Sequence, residues 1–114
     1  MIGAATRKLV WTRAGGCCEY CRLHQYEEPV FPLHVEHLIP RQHLGRDDAA
    51  NLALACHYCN THKGPNLAAI DPDTGQMVEL FRPRTHNWHE HFGFNGAVVI
   101  GISAIGRASF GSYR

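Results

Sequence analysis

Four of the five cysteines fall in two C-x-x-C pairs, Cys18 with Cys21 and Cys56 with Cys59, and 34 residues separate the pairs. Two residues between cysteines let both thiolates of a tight turn face one point, and four such sulfurs make the closed tetrahedral site typical of structural zinc. The 34-residue gap exceeds zinc-ribbon spacing, so the segment between the pairs must itself be folded structure that returns Cys56 to the neighbourhood of Cys18. Cys17, the odd cysteine, points away from such a cluster and reads as packing or surface.

Two other readings of these residues fail on physical grounds. Cys18-x2-Cys21-x15-His37-x5-His43 falls within the generic two-cysteine, two-histidine spacing. In that finger both histidines share a helix face, whereas Pro40 lies between His37 and His43 and would remove a helical hydrogen bond. Disulfides would suit a secreted mini-protein, but the N-terminal "MIGAATRKLVWTRAGG" lacks the apolar core of a signal peptide. The longest apolar run, "AVVIGISAI", is far short of the ~20 residues that span a bilayer. A cytosolic, reducing setting with no membrane partner is therefore expected, and there paired cysteines favour metal.

At 114 residues the chain is expected to be a single domain, residues 1–114, small enough that its core benefits from a staple. Lys and Arg total 11 against 10 Asp and Glu, so any basic surface must come from arrangement rather than net charge.

Along the chain, "ATRKLVWTRA" at 5–14 suits a short helix stopped by Gly15 and Gly16. "LHVEHLIP", 33–40, predicts a strand ended by Pro40, and "RQHLGRDDAAN" a surface loop leading to a second strand, "LALAC". "CHYCNTHKG" then turns into a helix of two or three turns, expected to run to about Ile70. "DPDTG" at 71–75 is turn chemistry joining strands in a hairpin with "MVELF". The segment from Ala97 is expected to supply one or two short strands and a loose tail, with no linker dividing the chain.

"VEHLIPRQHLGRDDAANLALACHYCNTHKG" runs as acidic residue, His, two apolar residues, Pro, a glycine-containing loop, Asn-Leu, and C-x-x-C-Asn-x-x-Lys-Gly. Over residues 35–64 this resembles the HNH endonuclease family nearly in register, and the upstream "RAGGCCEYC" fits the first half of its zinc site. "HNWHEHF" and "GRAS" are similar, less specifically, to the tail of one bacterial subgroup. The resemblance implies an α+β chain of the ββα-metal class, its core at about 33–70, with a structural zinc on four cysteines and additional short strands.

The resemblance also assigns roles. His37 is implied as the general base that deprotonates water, a task suited to imidazole, whose ordinary pKa of about 6.5 lies near working pH. Glu36 and Asn60 match the ligands of a catalytic divalent cation, commonly Mg2+, both offering the oxygen a hard cation prefers. Asn51 matches the middle residue of the pattern, its amide bonding loop backbone so that His37 is held. Asn60 stands where many members carry the last His.

Arg41, Arg46, Lys63, Arg82 and Arg84 are candidate phosphate contacts to DNA, which supply affinity without reading bases. His34, His43, His57 and His62 are set aside as ligands. His86, His89 and His91 are expected to pack rather than to bind a second metal. Against the nuclease stand two other classes: a non-catalytic zinc module that binds nucleic acid, and a redox protein using its C-x-x-C thiols.

Overall fold

In the computed structural model, which describes residues 2–110, the first helix, α1, spans Ala4–Arg13 and ends at Gly15 and Gly16, where the sequence places its stop. Arg13 in its last turn donates to the carbonyls of Ala49 (3.1 Å) and Leu52 (2.7 Å), pinning the entry of a later strand. Strands β1 (His34–His37) and β2 (Leu52–Ala55) then pair antiparallel, with Glu36 opposite Ala53 and His37 opposite Leu52. All four residues of β2 are buried, as its uninterrupted apolar run requires, and α1 packs against it.

β1 is shorter than the expected 33–40. Beyond His37 the main chain leaves the ladder because both the N–H and the C=O of Ile39 are taken by the side chain of Asn51, before Pro40 is reached. In the loop that follows, a Cβ on Gly45 would overlap the carbonyl of Ile39, so only glycine fits this close approach.

Helix α2 (His57–Lys63) packs on β1 and is also shorter than expected. It stops at Gly64, whose N–H closes on the carbonyl of Asn60, and Pro65 cannot extend it. Residues 68–70, expected to be the helix end, are instead strand β3 (Ala68–Ile70), paired with β4 (Met77–Glu79). The "DPDTG" turn joins them in the hairpin the sequence predicts, with Asp71 accepting from the Asp73 N–H and the Thr74 hydroxyl.

The chain forms two compact units, residues 1–65 and 66–114. The second continues through α3 (Trp88–His91) and the antiparallel pair β5 (Phe92–Asn95) and β6 (Val98–Gly101). Where the sequence suggests only strands and a tail, Ala104–Phe110 is a helix, α4, whose first turn is closed by the Ser103 hydroxyl accepting from the Gly106 N–H. The expected tail beyond residue 110 lies outside the described residues. Aromatic rings fill this unit's interior: Phe92 lies 5.0 Å from Phe81, 4.9 Å from Phe110 and 5.4 Å from Trp88, centroid to centroid. Among the described residues no helix is long and apolar enough to cross a membrane. The architecture is mixed α+β.

Candidate active site and metal centre

Two turns of similar design bring the paired cysteines together. In the first, the Cys21 N–H donates to Cys18 Sγ (3.5 Å), and Arg22 adopts a left-handed φ of 70° to close the turn. In the second, the Cys59 N–H donates to Cys56 Sγ (3.4 Å), which caps α2. The four sulfurs lie within 4.8 Å of one another, and Cys21 and Cys56 are 3.7 Å apart. Zinc–sulfur bonds of about 2.3 Å place tetrahedral sulfurs about 3.8 Å from each other. The four cysteines are thus positioned to bind a metal ion, and the donor set fits zinc.

The four sulfurs are close enough to influence one another's protonation. Hydrogen bonds among them, the largest cause in each case, push the Cys18 and Cys59 thiols up and the Cys21 and Cys56 thiols down. A divalent cation at the centre favours the thiolate at all four. Cys17 lies outside the cluster, its sulfur beside the Gly15 carbonyl.

The two residues between Cys18 and Cys21 reach both strands. Glu19 is buried, and its carboxylate accepts from the Leu54 N–H (2.8 Å) while its own N–H donates to the Leu54 carbonyl (2.8 Å), engaging β2. Tyr20, also buried, donates its hydroxyl to Glu36 Oε1 on β1. Burial pushes the Glu36 carboxyl up, while Lys63 and the Tyr20 hydrogen bond draw it back down. Among the described residues no protein group bonds Glu36 Oε2. The half-buried Asn60 side-chain amide likewise has no hydrogen-bond partner among them. Each therefore retains an oxygen suited to a hard cation.

His37 sits at the end of β1, largely buried, with Nε2 2.7 Å from Asp47 Oδ1. An ionised carboxylate only accepts, so Nε2 carries the proton and Nδ1 is left with its lone pair. No described residue bonds Nδ1. Asp47 is itself gripped by the Arg41 guanidinium, Nε to Oδ1 at 3.0 Å and Nη2 to Oδ2 at 3.1 Å. Arg41 first, then His37, hold the Asp47 carboxyl well below the usual carboxylate range. Asp47 and its neighbours Arg41, Gly45, Arg46 and Asp48 line an open cleft of about 460 Å³.

Asn51 fastens the loop between these groups. Its Oδ1 accepts from the Ile39 N–H (2.9 Å), and its Nδ2 donates to the carbonyls of Ile39 (2.9 Å) and Arg46 (2.8 Å). At about 1 kcal/mol per bond, these contacts fix both ends of the segment that carries Arg41.

The candidate cations differ in how they are engaged. Lys63 points its ammonium at the carbonyls of His37 and Leu38, 3.4 Å from each, tying the end of α2 to the end of β1. Arg46 is mostly exposed and only 3.7 Å from Asp48. Arg82 and Arg84 lie in the second unit. His57 is exposed and stacks on Phe31, with ring centroids 4.1 Å apart. His86 donates from Nε2 to Glu79 (2.7 Å) and accepts the Arg82 N–H at Nδ1, and His91 pairs with Ser103 (2.6 Å).

Sequence reasoning does not single out Asp47 or Tyr20. For Asp47 the only local signal is a pair of adjacent aspartates, which does not say which one faces β1. Tyr20 carries no signal beyond its place between two metal-ligating cysteines.

Residues 18–66 match the family model for HNH endonucleases. The matched stretch contains both cysteine pairs, β1, β2 and α2, and its four cysteines are positioned to bind a metal ion. No curated protein and no solved structure matches the chain.

Proposed function

We propose that this chain is a cytoplasmic, divalent-metal-dependent HNH endonuclease that hydrolyses phosphodiester bonds in DNA, with β1, β2 and α2 as a ββα-metal unit stapled by zinc. The observation that carries this reading is the imidazole of His37, fixed through Nε2 by Asp47, with no described residue bonded to Nδ1. Such a base is held in one tautomer by a partner on its far side, the arrangement general-base catalysis uses.

His37 Nδ1 accepts a proton from water as the water oxygen bonds to phosphorus and the bond to the departing sugar oxygen breaks. Asp47 supports the imidazolium that forms, and the hold of Arg41 on Asp47 keeps that carboxylate ionised. Asn51 keeps the Ile39–Arg46 loop closed, and with it the approach of Asp47 to His37. Glu36 and Asn60 are assigned to the divalent cation, Mg2+ or a similar ion, which when bound offsets charge on the phosphate and the leaving oxygen. Arg41 and Arg46 beside the cleft, with Lys63, Arg82 and Arg84, are assigned to the phosphate backbone.

A plasmid-nicking assay with Mg2+ or Mn2+ tests the reading. His37→Ala is expected to lose about 10²- to 10⁴-fold in rate, or roughly 3 to 5 kcal/mol, while keeping its zinc and its melting temperature. No cutting by either wild type or variant would overturn the nuclease and leave a module that only binds nucleic acid.

A further inference from the structure

A buried side chain links the first cysteine turn to β1. Tyr20 lies between two of the metal-ligating cysteines, is buried, and spends its hydroxyl on one oxygen of Glu36, leaving the other without a protein partner among the described residues. Glu19, the other residue between those cysteines, grips β2 instead, through both its main chain and its carboxylate. The first cysteine turn therefore clamps both strands, one residue to each.

We propose that Tyr20 is a positioning residue for the second cation. Its hydroxyl holds Glu36 Oε1 and so leaves Oε2, in one orientation, as the oxygen that Glu36 would offer a cation; the cysteine cluster would thereby set the affinity of a metal it does not touch. This rests on the assignment of Glu36 to that cation made above.

The chemistry favours such a link. A carboxylate ligand on a short strand turns about two side-chain bonds beyond Cβ, and each orientation it samples away from the cation weakens binding. A hydroxyl donor on the non-ligating oxygen removes that freedom and leaves the charge of the carboxylate in place. Partners of this kind behind a ligand are typically worth about 10- to 100-fold in metal affinity. Tyrosine suits the position because its ring fills the apolar interior while its hydroxyl reaches a polar partner.

Binding of Mn2+ to the full zinc-loaded chain, followed by electron paramagnetic resonance, tests the proposal in wild type, Tyr20→Phe and Glu36→Gln. Tyr20→Phe is expected to keep one zinc per chain and to bind Mn2+ about 10- to 100-fold more weakly. Its DNA nicking is expected to recover as Mn2+ is raised, whereas that of Glu36→Gln is not. Wild-type Mn2+ affinity in Tyr20→Phe, with weakened binding in Glu36→Gln, would overturn the role of Tyr20 alone. Wild-type affinity in Glu36→Gln would overturn the assignment of Glu36, and the proposal with it. Loss of zinc by Tyr20→Phe would also overturn it, because the hydroxyl would then be holding the cysteine turn rather than the carboxylate.

Discussion

The two units of this chain solve the problem of a small interior in opposite ways. In residues 1–65 Glu19, Glu36 and three of the four clustered cysteines are buried beside small and aliphatic residues such as Val10, Leu38, Leu52 and Leu54. In residues 66–114 the interior is built on Phe81, Trp88, Phe92 and Phe110, and Asp71 is the one buried carboxylate among this unit's described residues. Burying polar groups costs free energy unless every one is bonded, and a unit of about 65 residues gains little from apolar burial to offset it. The first unit meets that cost with a cysteine cluster positioned to bind a metal ion and with carboxylates bonded to β2 and to Tyr20. The second contains no metal-ligand cluster among its described residues.

The sharpest way to break this contrast is to remove the metal. Structural zinc contributes about 10 to 16 kcal/mol of apparent binding energy, as much as the whole stability of an ordinary domain. Chelation, or Cys56→Ser, is expected to unfold the first unit. The chain has two tryptophans, Trp11 on α1 and Trp88 on α3, so Trp88→Phe and Trp11→Phe each leave one reporter. Trp11 is already exposed in the fold, so its fluorescence anisotropy, rather than its emission wavelength, is expected to fall on metal loss, and that of Trp88 to stay unchanged. Equal falls in both would show that the second unit depends on the metal as well.

The converse experiment strikes the aromatic interior. Phe92 is 1% exposed and touches three other rings, so Phe92→Ala is expected to cost about 3 to 5 kcal/mol in thermal or urea unfolding monitored at Trp88. Zinc content, measured by elemental analysis, is expected to stay at one per chain. Loss of zinc in this variant would undo the separation of the two interiors.

Much of the first unit is legible in sequence because metal ligation imposes spacing. Two C-x-x-C pairs demand that their sulfurs meet, and the strand–loop–strand–helix order between Leu33 and Lys63 follows from the turn residues and from Pro40. The end of α2 is hidden because "LAAI" continues an apolar pattern that suits helix or strand equally. Gly64 and Pro65 settle it, and Ala68–Ile70 pairs across the Asp71 turn. α4 is hidden for a related reason: "AVVIGISAI" has the β-branched content of strands, while the helix depends on a single serine cap at Ser103. Asp47 and Tyr20 are not legible at all, since their importance lies in long-range contacts, to His37 and to Glu36, that no local pattern encodes.

The smallest expected effect concerns the one buried carboxylate described in the second unit. Arg107 grips both oxygens of Asp71, each at 2.9 Å, and holds that carboxyl well below the usual range. A carboxyl with a depressed folded pKa contributes stability that is present above its unfolded value of about 3.9 and is lost as pH falls below it. Asp71→Asn is therefore expected to lower the melting temperature at pH 7, and the gap from wild type is expected to close as pH falls below about 4. The drop should be modest, on the order of a few degrees, for two reasons visible in the fold. Asparagine keeps one oxygen, which can still accept from Arg107 Nε and from the Asp73 N–H as Oδ1 does now. Arg107 also lies 3.2 Å from Asp73, so its charge is not stranded when Asp71 loses its own. The double variant Asp71→Asn with Asp73→Asn removes that second partner and is expected to lose more than the sum of the single changes. A strictly additive result would mean that Asp73 does not take over the charge of Arg107.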